Sequence, residues 1–158
     1  MLDKIPKIIS LLNKHKVEYV IIGGYAIILH GFLRATEHID IVLKMTNENV
    51  SKFQKALLTI YNDNDINEIN FSELSNYSVI RYGTPDNYYI DVISKIGESF
   101  NYDNISKENK IIDGIEFITA TAESLYEMKK NTYHEKDKLD ILFLKEKLGK
   151  WYLNIKIL

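Results

Sequence analysis

Two aspartates, each isolated inside an apolar run, constrain this chain more than any other feature. In "HIDIVLK" Asp40 lies between Ile39 and Ile41, and in "YYIDVIS" Asp91 lies between Ile90 and Val92. An ionised carboxylate withdrawn from water is costly unless it is paired or bound to a metal. A fold that buries both runs must therefore supply each aspartate with a partner. If the two strands are neighbours, the carboxylates can converge on a divalent cation that takes oxygen ligands, the preference of Mg2+. Alternatively each forms an ion pair, for which Arg34 and Arg81 are available. The sequence leaves both readings open.

The surrounding pattern predicts the elements that carry these residues. Ile5, Ile8, Ile9 and Leu12 repeat at helical spacing. "VEYVII", Val17 to Ile22, is β-branched and apolar enough for a buried strand, and it stops at Gly23-Gly24. "YAIILHG" fits a short helix closed by Gly31. In the next strand His38, Asp40 and Val42 face one way, with Ile39, Ile41 and Leu43 facing the other. Thr46 is placed to cap a helix with the apolar stripe Val50, Phe53, Leu57 and Ile60. After the polar, turn-rich "NDNDINEIN" come three further predicted strands, "YSVIRYG", "YYIDVIS" and "IEFITA", the first two joined through the turn "TPDN". Thr121 then caps a helix reaching Lys130, and a last helix runs from about Glu135 to Lys147. Alternating elements followed by clustered strands predict an α/β (α+β) fold, a mixed β-sheet flanked by helices. The 158 residues suit a single domain, 1–158, with 121–148 as a C-terminal helical part packed on it.

Several function classes are disfavoured. There is no cysteine, so disulfides and thiolate metal sites are excluded. The net charge of −2 supplies no general attraction to nucleic acid, and the lysines between Lys129 and Lys150 read as a solvated helix face. No apolar run reaches membrane-spanning length and the opening "MLDKIPKIIS" lacks a signal-peptide core, so a cytoplasmic protein with no membrane partner is expected. His15, His30, His38 and His134 show no zinc spacing, and no serine stands in a nucleophile-elbow context. Gly23-Gly24 at a strand–helix junction either admits a phosphate to the helix N–H groups or simply makes a tight turn. Arg34 offers a fork suited to phosphate, and Thr36 a hydroxyl nearby.

Taken in order, "VEYVIIGGYAIILHGFLRATEHIDIVLK" resembles the opening of small stand-alone nucleotidyltransferases of the DNA polymerase β-like superfamily, the abortive-infection toxin-like members above all. There a strand leads to Gly-Gly or Gly-Ser, a short helix, and Arg-x-Thr-x-Asp-x-Asp on the next strand, with a third acidic residue on a later one. "ESLYEMKKNTYHEKDKLDILFL" also resembles the helical pattern of that branch, with Lys129, Lys136, Asp137 and Asp140 on matching positions and His134 where an Arg is usual.

The resemblance implies a polymerase β palm-like fold and a two-metal reaction with Mg2+ or Mn2+. A nucleoside monophosphate would pass from a nucleoside triphosphate to a tRNA, a protein or a small molecule, and pyrophosphate would leave. Asp40 and Asp91 would be catalytic and, with His38, would hold metal. Gly23, Gly24, Arg34 and Thr36 would bind the nucleotide, and Lys129, Lys136 and Asp137 would either complete its pocket or only tie the helices together. An antitoxin partner, and a role in a toxin–antitoxin pair, are further expectations from the same resemblance.

One position departs from the pattern. His38 replaces the first strand aspartate, the residue that helps bridge two metals in that superfamily. Imidazole suits Mn2+, Fe2+ or Zn2+ better than Mg2+ and brings no negative charge. Three explanations follow: a natural loss of activity, a changed metal preference, or a substitution introduced to silence a toxic enzyme. The alternative to an active transferase is thus a catalytically impaired relative that binds nucleotide or a partner.

Overall fold

A computed structural model describes residues 4–130 and 135–149, without the side chains of 135 and 136. Its centre is a six-stranded mixed sheet in the order β3-β4-β2-β1-β8-β7. Helix α1 (Lys4–Lys14) leads into β1 (Tyr19–Ile22), α2 (Gly23–Leu29) and β2 (His38–Leu43). Next come α3 (Asn47–Ile60), a 3-10 turn (Asn64–Glu68), α4 (Phe71–Asn76), β3 (Val79–Gly83) and β4 (Tyr89–Ile93). A two-stranded hairpin of β5 (Lys95–Ile96) and β6 (Phe100–Asn101) precedes β7 (Lys107–Ile112), β8 (Ile115–Ala120), α5 (Ala122–Lys129) and α6 (Glu135–Lys147).

The predicted α/β architecture is the observed one. Ile5, Ile8, Ile9 and Leu12 are the buried face of α1, and β1 is buried along its whole length. Thr46 caps α3 by accepting from the Asn49 N–H, and Thr121 caps α5 by accepting from the Ser124 N–H. Both caps satisfy donors that a helix start leaves unpaired.

The sheet order follows from which strands are apolar on both faces. Central β1 and β2 pair antiparallel, with Ile22 opposite Asp40, and β4 joins β2 in parallel. Strand β8 lies parallel to β1, while β3 and β7 close the edges as antiparallel hairpin partners of β4 and β8. The apolar cluster extends from Ile5 of α1 to Leu144 of α6.

Several elements escaped the hydrophobic pattern, the β5–β6 hairpin among them. Strand β7, "KENKII", is largely polar because an edge strand half open to solvent needs few apolar residues. Its hairpin with β8 turns on Asp113-Gly114, both at positive φ (51° and 77°), with Ile112 paired to Ile115. That is the two-residue turn in which Asp-Gly is favoured. In the polar stretch after α3, Asp63 and Asn70 accept N–H bonds at the start of the 3-10 turn and of α4. Local side-chain capping builds these turns with little apolar periodicity to announce them.

The open end of the β1–β2 pair is tied by one buried side chain. Asn49 accepts from the Glu18 N–H at 2.8 Å and donates to the Glu18 and Lys44 carbonyls at 2.8 and 2.9 Å. Replacing it leaves the Glu18 N–H and the Lys44 carbonyl without these partners. Asn49→Ala is expected to destabilise the fold by about 2–3 kcal/mol, read as a lower urea midpoint with unchanged slope.

Candidate active site

The parallel pairing of β2 with β4 sets Asp40 directly opposite Asp91, and both project from the same sheet face as His38. His38 Nε2 lies 3.4 Å from Asp40 Oδ1 and 3.9 Å from Asp91 Oδ2. One ligand atom from each of the three residues falls within 4.8 Å of the others. A cluster of one imidazole and two carboxylates fits a single divalent cation by its donor chemistry, and the imidazole favours the transition metals of that class.

The glycine turn is shaped to this cluster. Because Ile22 pairs with Asp40, the chain leaves β1 right beside the carboxylate. Gly23 holds φ at +67°, and a Cβ there would overlap the Asp40 carboxylate. A Cβ on Gly24 would come within 3.3 Å of the Arg34 guanidinium carbon. Helix α2 starts here with no side chain capping it.

Arg34 and Arg81 choose different carboxylates. Arg81 binds Asp91 through both oxygens, Nε to Oδ1 at 2.8 Å and Nη2 to Oδ2 at 2.9 Å. Arg34 instead reaches the buried Asp140 of α6, Nη1 to Oδ2 at 2.5 Å. Lys129 at the end of α5 bridges Asp137 at 2.7 Å and Asp140 at 3.2 Å. Thr36 donates its hydroxyl to the His38 carbonyl at 3.0 Å, bracing the start of β2. The ion-pair reading of the aspartates thus describes Asp91, whereas the ionic neighbour of Asp40 is His38.

Gly23, Gly24, Arg34, Thr36, His38, Asp40, Lys129 and Asp137 line one cleft of about 260 Å³. The structure therefore gathers these proposed site residues in one place, with Asp91 one strand further. Lys136's side chain and His134 lie outside the described residues. A second, mainly apolar chamber of about 420 Å³ adjoins the cleft and shares Gly23, Asp40, Lys129 and Asp137 with it. Ile22, Val79, Ile93, Ile96, Leu125 and Met128 supply its apolar walls. Nothing in the residue pattern signals this chamber, whose walls come from separate segments of the chain, or Asp140 as the partner of Arg34.

Three comparison structures share the fold. ANT(2″)-Ia, solved with adenylyl-2″-tobramycin, superposes with a TM-score of 0.61 at 13% identity over 97% of this chain and 92% of its own. The lincosamide antibiotic adenylyltransferase LnuA, solved with lincomycin, gives 0.53 at 18% identity over 86% and 90%. An antigenic nucleotidyltransferase-like protein from Paracoccidioides brasiliensis gives 0.53 at 16% over 86% and 71%. The chain has the nucleotidyltransferase fold. No protein-family model matches the sequence, and no curated protein is significantly similar to it.

Within this nucleotidyltransferase fold the cluster's electrostatics are unequal. The Asp40 hydrogen bond raises the His38 pKa above the ordinary 6.5; burial opposes this, and the charges of Asp40 and Asp91 reinforce it. Burial pushes the Asp91 carboxyl up, but the bonds and charge of Arg81, aided by His38, leave it below the usual value. A raised histidine pKa contributes stability fully below about pH 6.5, and the contribution is lost as pH rises through the folded-state value. In metal-free protein, an NMR titration of the His38 ring should give a pKa above 6.5. Asp40→Asn should bring it down, and an unshifted His38 in the unmutated protein would contradict the geometry.

Proposed function

We propose that the protein transfers a nucleoside monophosphate from a nucleoside triphosphate to a hydroxyl of a small-molecule acceptor, releasing pyrophosphate. The observation that carries this reading is Asp40 set opposite Asp91 on adjacent parallel strands, with His38 beside both. In this reading the acceptor oxygen forms a bond to the α-phosphorus as the bond to the β-phosphate bridging oxygen breaks. Asp91 takes the acceptor's proton, and His38, Asp40 and Asp91 would together hold the cation. A divalent cation bound there supplies charge stabilisation for the attacking and departing oxygens. Gly23 and Gly24 let the triphosphate approach the backbone closely, and Arg34, steadied by Asp140, faces it across the cleft.

An acceptor of small-molecule size is supported by the adjoining chamber. Its apolar walls and about 420 Å³ suit a compact organic body better than a nucleic-acid backbone. ANT(2″)-Ia and LnuA, solved with an adenylylated antibiotic and an antibiotic respectively, point the same way. The toxin–antitoxin role rests on the sequence resemblance alone.

A second reading is favoured by His38 and Arg81 together. An imidazole in place of a carboxylate, and a guanidinium on the other carboxylate, both lower the site's attraction for Mg2+. Such a protein would bind nucleotide with slow turnover or none.

Pyrophosphate release is measured with each nucleoside triphosphate, Mg2+ or Mn2+, and a panel of hydroxylated antibiotics. Release is expected with Mn2+ above Mg2+, and Asp40→Asn should reduce it at least about 100-fold. His38→Asp should shift the preference toward Mg2+. Triphosphate binding without release under any metal would select the second reading.

A further inference from the structure

Asp91 is only 7% exposed, so in metal-free protein its carboxylate depends on a cationic partner. Arg81 is that partner and uses both oxygens, in the two-bond fork that makes Arg–carboxylate pairs specific. The pairing is built into the sheet, since Arg81 lies opposite Asp91 in the antiparallel β3–β4 ladder. The arginine itself is different in kind from its partner. It sits on an edge strand, its side chain is 53% exposed, and its guanidinium rests 5.0 Å from the centre of the Tyr89 ring. An exposed guanidinium over an aromatic face can leave a carboxylate and stay near it, because the ring offers a second favourable position.

We propose that Arg81 is an intramolecular competitor for the metal site, holding Asp91 until a divalent cation displaces it. The proposal rests on the reading that His38, Asp40 and Asp91 hold that cation. A cation seated by His38 and Asp40 can enlist Asp91 once Arg81 gives up at least one of its two bonds. The apparent affinity is therefore reduced by the fraction of molecules in which Asp91 is free. The displaced guanidinium remains beside the site on Tyr89, as a planar donor able to meet a phosphate or an anionic acceptor. Arg81 thus sets how tightly the site takes metal before any nucleotide arrives.

The test is Mn2+ affinity, read from free Mn2+ by electron paramagnetic resonance with no nucleotide present. Arg81→Gln should bind Mn2+ about tenfold more tightly than the unmutated protein, Arg81→Lys should fall between them, and Asp91→Asn in the Arg81→Gln background should remove the gain. Equal or weaker affinity in folded Arg81→Gln overturns the proposal. Should that variant fail to fold, the unmutated protein answers by NMR. The Arg81 Nε–H signal should shift and lose solvent protection on saturation with Zn2+, and an unmoved signal overturns the proposal.

The two functional readings separate cleanly in these data. Tighter Mn2+ binding without pyrophosphate release supports the role of Arg81 and overturns the transferase. Release with unchanged Mn2+ affinity does the reverse. A site that binds no Mn2+ in any variant overturns the proposal together with the metal reading beneath it.

Discussion

Everything at the candidate site depends on the register between β2 and β4. A parallel pair places residues of like position side by side, so Asp40 faces Asp91 across one strand spacing. Like charges opposite one another on a sheet repel, and here one is buried and the other partly so. The structure answers the repulsion with two basic side chains: His38 stands beside both carboxylates, and Arg81 grips the second. The antiparallel β1–β2 pair then fixes the remaining geometry. With Ile22 opposite Asp40, the chain must turn beside a carboxylate, and a residue without Cβ is needed there. Gly23 is in this sense a consequence of Asp40.

A second ionic group joins the C-terminal helices to this centre. Arg34, from the loop before β2, meets Asp140 of α6, and Lys129 of α5 touches both Asp137 and Asp140. Two cations and two anions balance, so the group adds no strong positive field to the cleft. The charge of a bound triphosphate would have to be met by a metal ion, by backbone N–H groups, or by re-pairing within this group. One oxygen of Asp140 is buried without a hydrogen-bond partner among the described residues, which leaves that carboxylate a free acceptor on the inner side. Removing Arg34 would therefore strip a buried carboxylate as well as the cleft, and the two effects would be entangled in any single substitution.

Much of this was legible in the sequence, for definable reasons. Strands β1, β2, β4 and β8 carry β-branched residues buried on at least one face, and their pattern is strong. Strand β7 was not legible because it lies at an edge, where half its side chains answer to solvent. At the site, residue types and order were enough to single out Asp40, Asp91, Gly23, Gly24 and His38. Partner choice was beyond reach. Arg34 and Arg81 were both available to both aspartates, and the decision was made by the β3–β4 hairpin register and by the docking of α6. Pairwise identity of that kind is a property of three-dimensional packing, and composition and spacing do not encode it locally. The apolar chamber was hidden for the same reason, since its walls are ordinary core residues until the segments assemble.

His38 has a consequence for the metal-free fold as well as for the chemistry. Without metal, a carboxylate at this position would make a third negative group beside Asp40 and Asp91, with Arg81 as the cation already engaged. A histidine with a raised pKa does the opposite, because in its protonated form it adds a positive charge between the two carboxylates. With His38 protonated, the cluster is close to neutral: two aspartates against one guanidinium and one imidazolium. A cation entering the protonated cluster must displace the proton from His38 as well as the guanidinium from Asp91. Both displacements oppose metal binding, and the first weakens as pH rises and the imidazole gives up its proton. The same substitution that lowers the attraction for Mg2+ therefore relieves the repulsion between the partly exposed Asp40 and the buried Asp91.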